Sequence, residues 1–118
     1  MKKIVFIFTI SLLAFKLSAQ KKIEGIWIAP KHNTHIEIYE KSDAYYGKII
    51  SSHNPDTPIG ETILRSFTFR KNKWKGKIYS VKKEKLVDAE LKNMGDVLKI
   101  TIDTGLFPVK VEWTKVVN

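Results

Sequence analysis

The sequence predicts an all-β fold: an eight-stranded antiparallel up-and-down barrel that follows an N-terminal export signal. Three observations predict it. Apolar and polar residues alternate with period two in short runs, the mark of half-buried strands. Between the runs stand the Pro, Asn, Asp and Gly residues that tight turns use. Beyond the first nineteen residues no segment keeps a helical period, and "VDAELKNM" (87–94) comes nearest to one.

The chain opens "MKKIVFIFTISLLAFKLSAQ". Lys2 and Lys3 form a basic head, Ile4 to Phe15 an apolar stretch, and "LSAQ" a small-residue cleavage site after Ala19. Residues 1–19 therefore read as a secretory signal peptide, with residues 20–118 as the mature domain. The apolar run is about twelve residues, short of the roughly 20 that span a bilayer, and Lys16 interrupts it. No transmembrane segment is expected in the mature chain, and its expected location is periplasmic or secreted. The precursor's net charge of +9 falls to +6 once Lys2, Lys3 and Lys16 leave with the signal.

The first mature run is "GIWIA" (25–29), followed by "THIEIYE" (34–40) and "AYYGKIIS" (44–51). "TILRSFTF" (62–69) comes next. In "KWKGKIYS" (73–80), Trp74, Gly76 and Ile78 face one way and Lys73, Lys75 and Lys77 the other. "EKLVDAEL" (84–91) is the sixth run. "DVLKITID" (96–103) turns Leu98, Ile100 and Ile102 to one side. "FPVKVEWTK" (107–115) places Phe107, Val109, Val111 and Trp113 inward. The connections "PKHN", "KSD", "RKN", "NMG" and "DTG" are short, as a meander requires. A mature domain this small without a single cysteine holds itself by packing and backbone pairing alone. Closure removes edge strands, so a barrel suits it better than an open sheet. A two-sheet sandwich is the alternative.

Taken together, "IEGIWIAP", "IEIYEKSDAYYGKI", "NPD", "WKGKIYS" and "VEWTKV" resemble, in this order, domain-of-unknown-function family 2147. The resemblance covers nearly all of the mature chain. It implies a small secreted bacterial protein with a lipocalin-like barrel, and no established activity. The chain departs from the family pattern in two places, reading "SVKKEK" after the "GKIY" strand and "TGLFPVKVEW" before the final tryptophan. The Gly25-x-Trp27 pair is also similar to the opening signature of lipocalins. It implies a structural plug in which Gly25 lets the first strand bend and Trp27 closes one end of the barrel. Lys115, sharing strand parity with Trp113, then caps the indole by a cation–π contact.

No catalytic residue and no cofactor is expected. His32, His35 and His53 are the only histidines, and with Glu37 and Glu40 they form no metal motif of the H-E-x-x-H kind. No metal site is expected. There is no G-x-S-x-G nucleophile, and the acids alternate outward rather than converging as a pair in one cleft.

Two functions of different kind follow. An eight-stranded barrel is just wide enough to be filled by side chains or to hold one small ligand. In "ILRSFTF", Arg65 shares parity with Ile63, Phe67 and Phe69, so it is expected to face inward. A guanidinium at a barrel mouth suits a carboxylate or phosphate head group. An anionic amphipathic or simply apolar ligand would then lay its tail along Phe67, Phe69, Trp74 and Trp113. A rim position for Arg65, open to water or paired with Glu61, is the competing placement. The second function is an interaction protein with a solid core. It would bind an envelope or extracellular protein through its surface or through the 52–61 loop, in "SSHNPDTPIG", the longest connection. Nucleic acid is not an expected partner: no recognition motif is present, and the abundant lysines serve outward strand faces.

Overall fold

The computed structural model describes residues 22–81 and 83–116. The expected signal peptide and its cleavage site lie outside the described residues. Eight strands form one closed antiparallel barrel in chain order. They are β1 (Gly25–Ala29), β2 (Thr34–Lys41), β3 (Ala44–Ser51), β4 (Thr62–Arg70), β5 (Lys73–Ser80), β6 (Lys85–Asn93), β7 (Val97–Asp103) and β8 (Pro108–Lys115). A single 3-10 turn, Lys31–Asn33, joins β1 to β2. The nearly helical "VDAELKNM" falls mostly on β6, where alternation buries Val87, Ala89 and Leu91 and exposes Asp88 and Lys92.

The turns explain why the strands stop where they do. Ser42 and Asp43 both take positive φ (52° and 66°), as do Lys71 and Asn72 (51° and 67°). Two consecutive left-handed residues make the tight hairpin whose twist matches that of the flanking strands. Asn93 and Asp103 each accept, through a side-chain oxygen, the backbone N–H two residues on, from Gly95 (2.8 Å) and Gly105 (2.9 Å).

These connections divide the barrel into two ends. At the plugged end β1 begins, the hairpins β2–β3, β4–β5 and β6–β7 turn, and β8 finishes. At the loop end lie the 3-10 turn and the β3–β4, β5–β6 and β7–β8 connections. The barrel closes on a short seam, in which Trp27 pairs with Lys115 and Ile28 with Thr114. Val116 N–H adds a bond to the Ile26 carbonyl (2.9 Å). Since β1 is five residues long and β8 eight, the first half of β8 runs on past that seam.

Two sequence parities are corrected here. Register shifts between Arg65 and Thr68 on β4, where Ser66 adopts φ 57°. This bulge puts Leu64 and Phe67 inside, each 1% exposed, and leaves both Arg65 and Ser66 outside. Arg65 therefore does not face inward. On β8, Phe107 precedes the strand and is 69% exposed, and Val109 is also exposed. Inward alternation begins only at the half-buried Val111.

The interior is a continuous apolar cluster. A Cβ added at Gly47 would meet the Leu64 side chain at 2.8 Å, and one at Gly76 the Phe67 ring at 2.6 Å. Glycine at these two positions lets the Leu64 and Phe67 side chains of β4 lie close over the backbone of the neighbouring strands β3 and β5 on the inner face.

Candidate functional site

The expected plug residues come together at the plugged end. Trp27 is fully buried, and its Nε1 donates to the Ile23 carbonyl at 2.9 Å. Lys115 Nζ stands 5.5 Å from the centre of the Trp27 ring. Gly25 has φ 131°, a conformation that disfavours any other residue, and its missing Cβ would lie 3.4 Å from Lys115 Cε. Ile23 is as fully buried as Trp27. Sequence periodicity could not reach it, because it precedes the first strand.

The residues expected to line a ligand site divide between core and surface. Phe67, Trp74 and Trp113 are buried core, and Phe69 is half-buried against them. Trp74 takes edge contacts from Phe69 (centroids 5.1 Å) and Tyr45 (4.9 Å). Burial, and then the carboxylates of Glu24 and Glu40, raise the Tyr45 hydroxyl above the usual tyrosine range, and it hydrogen-bonds Glu24. Arg65 lies on the opposite side of the wall, directly across from Lys77, with Nε 3.5 Å from the Thr62 carbonyl. Head-group cation and aromatic tail site are thus on different faces of the sheet.

The β3–β4 connection is built rather than loose. Ser52 Oγ sits at its centre, within hydrogen-bond distance of Thr34 Oγ1 (2.9 Å), Asn54 N (3.2 Å) and Thr57 Oγ1 (3.1 Å). His53 N–H donates to the His32 carbonyl (2.9 Å), tying the loop to the 3-10 turn. The histidines are used in this stitching, with His53 Nε2 3.3 Å from Asn33 Nδ2. Among the described residues no group of three or more His, Asp or Glu is placed to hold a metal ion.

The outer wall carries charge. Lys77 pairs with Asp88 (2.5 Å), while Lys73 and Lys75 flank Glu90 at 3.3 and 3.8 Å. All are solvent-exposed, where such pairs contribute little. A groove of about 800 Å3 follows this wall past Thr68, Arg70, Lys75 and Lys77. A second, of about 440 Å3, adjoins it beside Lys92, Lys99 and Lys110. Register sets Lys92 directly opposite Lys99, a like-charge pair that opposes pairing. Among the described residues no helix is long and apolar enough to cross a membrane.

Apolar exposure is concentrated elsewhere. Seven large hydrophobic side chains are exposed among the described residues, and all but Met94 lie at the loop end: Ile59, Val81, Leu86, Leu106, Phe107 and Val109. Sequence reasoning missed this patch by assigning Phe107 to the core. The available signal was a Leu-Phe pair enclosed by Gly105 and Pro108, residues that stop a strand from starting earlier.

The fold and these surfaces define a small closed antiparallel β-barrel whose interior is taken up by its own side chains. Over residues 25–115 the chain matches the family described as "Uncharacterized protein conserved in bacteria (DUF2147)", and it belongs to that family. No curated protein and no solved structure matches it.

Proposed function

We propose that this is an exported, non-enzymatic barrel protein that works through the surface of its loop end, where it contacts another component of the bacterial envelope. The observation that carries this reading is the gathering of six exposed large hydrophobics at one end of a barrel with a packed interior. Large apolar side chains left exposed and gathered at one end of a small protein ordinarily mark an interaction site. The export signal read in residues 1–19 supplies the compartment. A photo-crosslinking residue placed at Leu106 in the exporting cell should yield an adduct that the same group at Lys41, in the β2–β3 hairpin, does not. Equal labelling from both positions would defeat the reading.

A small apolar or amphipathic ligand is the second reading, and one observation favours it. The core aliphatics with the most residual exposure, Ile49, Ile78 and Val87 (6–8%), each lie two residues from a strand end at the loop end, beyond the β1–β8 seam. Native mass spectrometry of protein recovered from its host tests it: a stoichiometric co-purifying small molecule is expected if a ligand enters there.

A further inference from the structure

We propose that the loop end docks on an anionic lipid bilayer, with Leu106 and Phe107 entering the headgroup region and Lys83, Lys85 and Lys110 meeting the lipid phosphates. The inference rests on the loop end being the contact surface and names what it contacts.

Exposure is extreme at the tip, at 91% for Leu106, 80% for Val81 and 69% for Phe107. These residues belong to two neighbouring connections held together by Lys83, whose Nζ donates to the Thr104 carbonyl. The β7–β8 connection is fixed from within: Gly105 N–H donates to Asp103 Oδ1 (2.9 Å) and Thr104 Oγ1 to the Phe107 carbonyl (2.6 Å). The Gly105 N–H, the Thr104 hydroxyl and carbonyl and the Phe107 carbonyl are thus paired within the tip, which lowers the cost of moving its apolar side chains out of water. The tip side chains stand in solvent, and neither groove includes Leu106, Phe107 or Val81. A protein partner would need a socket shaped for it, whereas the headgroup region of a bilayer yields to whatever enters.

Charge points the same way. The β5–β6 turn reads "VKKEK" (81–85), three lysines to one glutamate, and Lys110 follows on β8. Against these lysines and Lys110 stand only Glu84 and Asp103 in the two connections and their strand ends, which leaves the surroundings of the tip with an excess of positive charge. Lysines around an exposed Leu-Phe pair match the mixed requirement of an anionic membrane surface, apolar burial together with attraction to lipid phosphate.

The test uses protein recovered after export, its N-terminus verified by mass, and vesicles of phosphatidylglycerol with phosphatidylcholine or of phosphatidylcholine alone. Co-sedimentation with the anionic vesicles is expected, weakening as salt is added. Leu106→Ser/Phe107→Ser should reduce the partition coefficient roughly tenfold or more, since two buried apolar side chains are lost. Lys85→Gln/Lys110→Gln should reduce binding to anionic vesicles and leave neutral ones unchanged. Melting temperatures equal to wild type establish that the variants are folded. Absence of wild-type binding to anionic vesicles, or equal binding by the Leu106/Phe107 variant, overturns the inference. If vesicles do not bind but position 106 still crosslinks specifically to a protein in cells, the membrane falls and the loop-end reading stands. If neither occurs, both fall.

Discussion

The two ends of the barrel have opposite chemistry. At the plugged end, Trp27, Ile23, Leu91 and Leu98 are fully buried, and the hairpins turn in two or three residues. At the loop end the connections run to four and ten residues and present Leu106, Phe107 and Val81 to solvent. One end maximises burial, the main favourable term in the fold. The other leaves apolar surface in water, which folding alone does not explain. Under the proposed function, stability and partner contact belong to different ends, so substitutions should affect one without the other.

The largest expected effect is at the plug. Trp27→Ala should destabilise the protein by about 3–5 kcal/mol, the range for truncating a buried aromatic, read as a lower denaturation midpoint. Gly76→Val comes next. The new side chain would enter the space of the Phe67 ring and the Arg65 carbonyl, and overpacking of this kind costs about 1–3 kcal/mol. Combining it with Phe67→Leu should recover part of the loss, because the two sites share one volume.

The effect shrinks towards the surface. Lys115→Met removes a cation–π contact at a partly exposed site and should cost about 0.5–1 kcal/mol, with loss of its salt sensitivity. Arg65→Gln should change stability by no more than about 0.5 kcal/mol, as is usual for exposed positions. It should also leave the binding of any fatty-acid-like probe unchanged, since Arg65 stands outside the wall. A selective loss for anionic probes over neutral ones would restore Arg65 to a ligand site and blur the division between the ends.

Most of the fold was legible because its signals are local. Alternation located all eight strands to within two residues of their ends, and turn residues such as Ser42–Asp43 and Lys71–Asn72 marked the hairpins. The contact of Trp27 with Lys115 was implied by the resemblance of Gly25-x-Trp27 to the lipocalin opening, with strand parity putting Lys115 on the same side as Trp113. The position of Arg65 was not. A bulge at Ser66 inserts one residue and reverses the parity that precedes it, and nothing in "ILRSFTF" announces a serine at positive φ. Phe107 was misassigned for a related reason: alternation continues through "FPVKVEW", but the strand starts only at Pro108 and its first residues outrun the β1 partner. Both errors concern where tertiary pairing begins or slips, information that lies in the partner strand. The candidate contact surface was hidden by the second of them.

The division between the ends is tested most directly by denaturing Trp27→Ala and Leu106→Ser/Phe107→Ser side by side with wild type in one urea series. The account predicts a loss of about 3–5 kcal/mol for the first and a change within about 0.5 kcal/mol for the second. A loss of similar size in both would place Leu106 and Phe107 in the core and contradict it.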